Sequence, residues 1–80
     1  MGFYIVIERI KEDQEKAHYR FYDLNRLEYG ETEIIKESGV VTLTVPHPYD
    51  HARIRFDRVE RKLRLHWREN SFPTLTSWVA

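Results

Sequence analysis

The chain contains no cysteine, which excludes disulfides, thiolate metal ligands and a cysteine nucleophile. Glycine and proline are also scarce, with three of each among 80 residues. Gly2, Gly30 and Gly39 stand alone, so there is no glycine-rich loop to cradle a phosphate. The longest uncharged apolar run, Phe3 to Ile7, is far too short to span a bilayer. Met1-Gly2-Phe3 has neither the basic region nor the small-residue cleavage site of a signal peptide. The net charge is zero at pH 7, without the basic excess usual in nucleic-acid binders.

What remains is globular in character: 41% of residues are apolar and 32% are charged, unlike a disordered or membrane chain. Eighty residues make one small domain (1–80), expected in the cytoplasm. Without covalent staples it must fold on packing alone or gain stability by association. Its charge is unevenly spread. From Arg53 to Arg68 there are seven Arg or Lys against two acids, whereas Met1 to Ser38 holds nine acids against six bases. The two halves can attract each other within one fold, or form a dipolar surface that selects a partner.

The strongest pattern lies between Asp50 and Arg68. Ala52, Phe56, Val59, Leu63 and Trp67 are four, three, four and four positions apart. At about 100° per residue they fall within an arc about 80° wide, the apolar stripe of a helix lying on a core. Asp57 with Arg61, and Glu60 with Arg64, stand at i,i+4 with the acid first, as helices prefer. The rival reading is a hairpin with Ile54 and Phe56 facing Leu63, Leu65 and Trp67. It would put Val59 in a turn that contains no Gly, Asn or Pro, so the helix is preferred. Asp50 is the expected N-cap, and Asn70 and Pro73 supply the stop.

The first half reads as strands. Phe3 to Ile10 is rich in β-branched and aromatic residues, with apolar side chains on both parities. That pattern predicts an inner strand covered on both faces. Lys11 to Lys16 is a polar hairpin loop. Ala17 to Leu24 admits a helix that Gly30 could cap, but crowded Tyr19, Phe21 and Tyr22 favour a strand. Asn25 to Gly30 connects to Glu31–Glu37 and Val40–Val45, which flank the Ser38-Gly39 turn. Pro46 and Pro48 end the sheet. The tail from Phe72 to Ala80 carries Phe, Leu, Trp and Val, so it should be docked rather than frayed.

His66-Trp67, Phe72-Pro73, Thr76 and Trp78, with the Ser38-Gly39 hairpin ahead of the helix, form a pattern over about a third of the chain. It resembles a group of small uncharacterised bacterial proteins, a domain of unknown function with a C-terminal helix followed by a His-Trp, Pro and Trp tail. The resemblance implies four strands followed by a helix, and implies no activity.

Chemistry-bearing clusters are few. His47, Asp50 and His51 lie within five residues and could hold Zn²⁺ if the loop curled around it, but no fourth ligand or supporting shell is evident. The ordinary reading of this segment is a proline-rich connection ending in an N-cap. His66 sits at the rim of the stripe, and His18 has no partner in sequence. The acids are scattered, and Ser38, Ser71 and Ser77 sit in no nucleophile motif, so no catalytic residue, metal or cofactor is expected.

Two surfaces stand out. Arg53, Arg55, Arg58, Arg61, Lys62, Arg64 and Arg68 ring the helix, and guanidinium pairs bidentately with phosphate or carboxylate. Ile54 and Leu65 project from the back of the helix and, with Phe72, Leu75 and Trp78, suggest an oligomer face. The expected fold is therefore α+β: a four-stranded antiparallel meander (Phe3–Ile10, Ala17–Leu24, Glu31–Glu37, Val40–Val45) on one helix, His51–Arg68, with an ordered apolar tail. The expected role is a non-catalytic, homodimeric interaction module. Nucleic-acid or acidic-partner binding through the helix is the alternative.

Overall fold

The structure, a computed structural model, describes residues 4–24 and 27–79. Phe3 of the first expected strand, and Asn25 of the connection after the second, lie outside them. Four strands run as an antiparallel meander: β1 (Tyr4–Glu12), β2 (Lys16–Asp23), β3 (Tyr29–Ile35) and β4 (Val41–Val45). A helix, α1 (Ile54–Arg68), then crosses one face of the sheet. The chain ends in a fifth strand, β5 (Leu75–Val79), which pairs antiparallel with β1. The strand order is β4-β3-β2-β1-β5.

The expected α+β class and the strand reading of residues 17–24 hold, but the sheet has five strands and not four. The apolar tail is the additional strand. Nothing local in Leu-Thr-Ser-Trp-Val announces this, because apolar residues fall on both parities. Its partner β1 lies at the other end of the sequence.

One face of the sheet holds the core. Ile5 and Ile7 of β1, Ala17, Tyr19 and Phe21 of β2, Ile34 of β3, and Val59 and Leu63 of α1 are buried. Phe56, Trp67, Phe72 and Trp78 border them, with Val41 and Leu43 of β4. Four of the five stripe residues thus face the sheet as their spacing requires. Ala52 does not. It is exposed and, with Arg53, adopts a left-handed backbone at φ 57° and 55°.

This kink corrects the expected helix start. His51–Arg53 form one 3₁₀ turn, and the α-helix begins at Ile54 rather than His51. Asp50 still caps the helix, from a distance. Its two carboxylate oxygens accept the backbone N–H groups of Arg55 (2.6 Å) and Phe56 (3.0 Å), which would otherwise be orphaned in the first turn.

Two glycines are fixed by close approach. Gly39 closes the β3–β4 turn at φ +75°, and a Cβ there would lie 2.7 Å from the Trp67 ring. Trp67 rests on this turn and donates its indole N–H to the Lys36 carbonyl (2.7 Å). By sequence Gly30 belongs to a connection, or serves as a helix cap. It lies instead in β3 opposite Phe21, whose ring occupies the space a Cβ would need. Neighbouring loops are similarly tied: Asp13 Oδ1 accepts the N–H groups of Glu15 and Lys16 and tightens the β1–β2 turn.

Candidate interaction surfaces

The helix presents its polar side to solvent, but its seven cations are not equivalent. Arg55 is a structural residue. Its guanidinium forms a two-pronged pair with Asp23 at the end of β2 (Nε–Oδ1 2.9 Å, Nη2–Oδ2 2.8 Å) and donates to the Tyr49 carbonyl (3.0 Å). These bonds to Asp23 hold the arginine even more firmly protonated than usual. Arg58 and Arg61 share Asp57, at 3.0 and 3.4 Å, and the Arg58 guanidinium also lies over the Trp78 ring, 5.9 Å from its centroid. Arg53, Lys62, Arg64 and Arg68 have no acidic partner among the described residues.

Arg64 and Arg68 line a groove of about 340 Å³ together with Arg61, Leu65 and Trp78. The groove lies between the outward side of α1 and β5, the edge strand. Trp78 faces the helix side of the sheet, and its indole Nε1 is buried with no hydrogen-bond partner among the described residues. One position along, Thr76 Oγ1 meets His66 Nε2 at 2.9 Å. Burial, with Lys62 nearby, holds the His66 pKa below its ordinary 6.5, against a weaker opposing pull from Glu69.

The opposite face of the sheet has no covering layer among the described residues. Strand alternation places Tyr4, Val6 and Glu8 of β1 on this outer face, since Ile5 and Ile7 point into the core. Register then aligns Val6 with Tyr22 and Ser77, Glu8 with Arg20 and Leu75, and Tyr4 with Val79. Half of the face is charged and internally paired. Arg20 Nη2 lies 3.8 Å from Glu31, His18 Nε2 lies 2.7 Å from Glu33, and the Arg20 guanidinium stacks on the Tyr29 ring at 4.4 Å. The other half is apolar. Tyr4, Val6, Tyr22, Leu24 and Leu75 line a shallow depression of about 550 Å³, together with Glu8, Thr76 and Ser77. Tyr4, Leu24 and Leu75 are 49%, 51% and 63% exposed. The Tyr22 phenol is pushed above its usual pKa by burial and by Glu8, to which it donates at 3.4 Å.

The five residues expected to form one oligomer face are spread over several surfaces, although Leu65 and Trp78 line one groove. Ile54 and Leu65 stand exposed on the helix back, and Trp78 sits at the sheet edge. Phe72 borders the core, with Lys36 Nζ 4.9 Å from its ring centroid. Only Leu75 belongs to the open sheet face. Sequence reasoning missed Tyr4, Val6, Tyr22 and Leu24 as surface residues, although the apolar residues on both parities of β1 were their signal.

The His47, Asp50 and His51 cluster is dispersed as well. His47 is buried against Phe21, and its Nδ1 accepts the Tyr49 N–H at 3.1 Å. Asp50 is occupied by the helix cap, and His51 is exposed. Among the described residues no group of three His, Cys, Asp or Glu is placed to hold a metal ion, and no helix is long and apolar enough to cross a membrane. No family model, curated protein or solved structure matches this chain.

Proposed function

We propose that the protein is a non-catalytic interaction module that works as a homodimer, with the outer face of the sheet as the surface joining the two copies. One observation carries this reading: β1 is apolar on both faces, yet only the Ile5–Ile7 face is covered by the core. Leu24, Tyr22, Tyr4, Val6, Leu75 and Val79 share this open face, with Glu8 and Ser77 set among them. A stable dimer covers about 800 Å² per partner, about 15% of this chain's 5340 Å² surface. A two-fold interface uses the same patch twice and needs it to be self-complementary. An apolar area bordered by an internally paired row of both charges supports that condition, and the Glu8 carboxylate at its border accepts the Tyr22 hydroxyl.

Nucleic-acid binding by the helix has less support. Arg55 is committed to Asp23, and Arg58 and Arg61 to Asp57, so the ring of cations is thinner than its sequence suggests. Sedimentation equilibrium decides the dimer. The wild-type chain should sediment at twice its monomer mass at micromolar concentration. Leu75→Arg, which alters an exposed side chain, should sediment as a monomer with an unchanged circular dichroism spectrum. A monomeric wild type, or a Leu75→Arg dimer of undiminished affinity, would overturn the reading.

A further inference from the structure

We infer that the groove between α1 and β5 receives an extended acidic peptide from a partner protein, which adds to the sheet as a sixth strand beside β5. The backbone supplies the first half of the case. Arg9 donates its N–H to the Thr74 carbonyl at 2.8 Å, in the register that pairs β1 with β5. Antiparallel strands alternate their hydrogen-bonding direction. Thr76 and Trp78 therefore bond back to β1, while Leu75, Ser77 and Val79 turn their N–H and C=O groups outward. Among the described residues no strand pairs with that edge. An unpaired edge is a template for another extended chain.

The side chains supply the second half. In an added strand, alternate residues would face the helix side, level with Thr76 and Trp78. There the groove offers the guanidinium groups of Arg64 and Arg68, with Arg61 beside them engaged by Asp57, and an apolar surface made by Leu65 and Trp78. No acid lines it, and Arg64 and Arg68 have no acidic partner among the described residues. The complementary strand carries carboxylates on its helix-facing positions.

Two other occupants fit less well. A second copy pairing β5 with β5 would bring both sets of arginines together across the two-fold with no acid between them. A nucleic-acid strand brings phosphate acceptors but no backbone donors for the outward carbonyls. Trp78, the one aromatic residue lining the groove among the described residues, has the Arg58 guanidinium over its ring, which hinders base stacking. The inference does not depend on the dimer, since the groove and the apolar patch lie on opposite faces of the sheet.

The test uses a fluorescein-labelled eight-residue peptide alternating glutamate and threonine, titrated into the full-length protein and followed by anisotropy. Three comparisons accompany it: a peptide with proline replacing every threonine, single-stranded oligothymidylate, and the Arg64→Glu/Arg68→Glu variant. The alternating peptide should bind, and its affinity should fall with added salt. Proline replacement and the double charge reversal should each weaken binding by about tenfold or more, a factor that corresponds to about 1.4 kcal/mol. In amide hydrogen exchange, Leu75, Ser77 and Val79 should gain protection from the bound peptide. Equal binding of the proline peptide, tighter binding of oligothymidylate, undiminished binding by the double variant, no binding at low salt, or protection that avoids β5 would each overturn the inference.

Discussion

Replacing Asp50 with alanine tests how this helix begins. The Asp50 side chain is only 4% exposed, and its two oxygens hold the N–H groups of Arg55 and Phe56. The preceding Ala52 and Arg53 are both left-handed, a backbone that costs non-glycine residues about 1–2 kcal/mol each. The carboxylate is therefore what secures the first turn to a strained approach. Losing an N-cap side chain costs about 0.5–2 kcal/mol. Here two partly buried donors lose their acceptor at once, so the upper end applies, about 2 kcal/mol. For a domain of this length that corresponds to a fall in Tm of about 8–16 °C. Urea denaturation followed by far-UV circular dichroism should show a lower midpoint with an unchanged slope. Asp50→Asn keeps one acceptor and should lose about half as much. A loss below about 0.5 kcal/mol for Asp50→Ala, or an Asp50→Asn variant no better than the alanine, would refute the capping role.

Other perturbations give distinct signatures. Gly39→Ala forces a side chain into φ +75° against the Trp67 ring, and should cost about 2 kcal/mol or more by the same denaturation assay. Leu63→Ala leaves a hole at the centre of the helix–sheet contact and should cost about 2–5 kcal/mol, measured from the urea midpoint. His66 is held below its ordinary 6.5 in the folded chain, so the unfolded chain takes up that proton first and stability falls as the pH drops below 6.5. His66→Gln should flatten the dependence of unfolding free energy on pH between about 7 and 5. Burial raises Tyr19 to about 12, and its hydroxyl donates to the Pro73 carbonyl at 2.9 Å. Tyr19 should therefore ionise later in an ultraviolet titration than Tyr22, which burial and Glu8 also raise. The stability it contributes is complete below 10 and disappears as the pH passes 12, and Tyr19→Phe should remove both effects.

The helix was legible because Phe56, Val59, Leu63 and Trp67 must share one face to be buried together, and periodicity records that need directly. The β3–β4 turn was legible for a similar local reason, since Gly39 supplies a backbone that few residues adopt. The kink at Ala52 and Arg53 was not. Neither residue type advertises a left-handed backbone, and Asp50 reads as a simple N-cap whether the helix starts one residue later or four. In sequence β5 reads as a docked tail and not as a strand, because its pairing partner is the most distant strand along the chain. The functional surfaces divide in the same way. Charge density marked the helix, but not that Arg55 would be committed to Asp23. Conversely, the apolar residues Tyr4 and Val6 predicted a covered face of β1 that the single chain leaves open.

Nuclear Overhauser effects in a sample mixing isotope-labelled and unlabelled chains test the homodimer most directly. Contacts between copies should join the methyl groups of Val6 and Leu75 to the rings of Tyr4 and Tyr22. A mixed sample without effects between copies at millimolar concentration, or with effects confined to Ile54 and Leu65 on the helix, would contradict a dimer built on the outer sheet face.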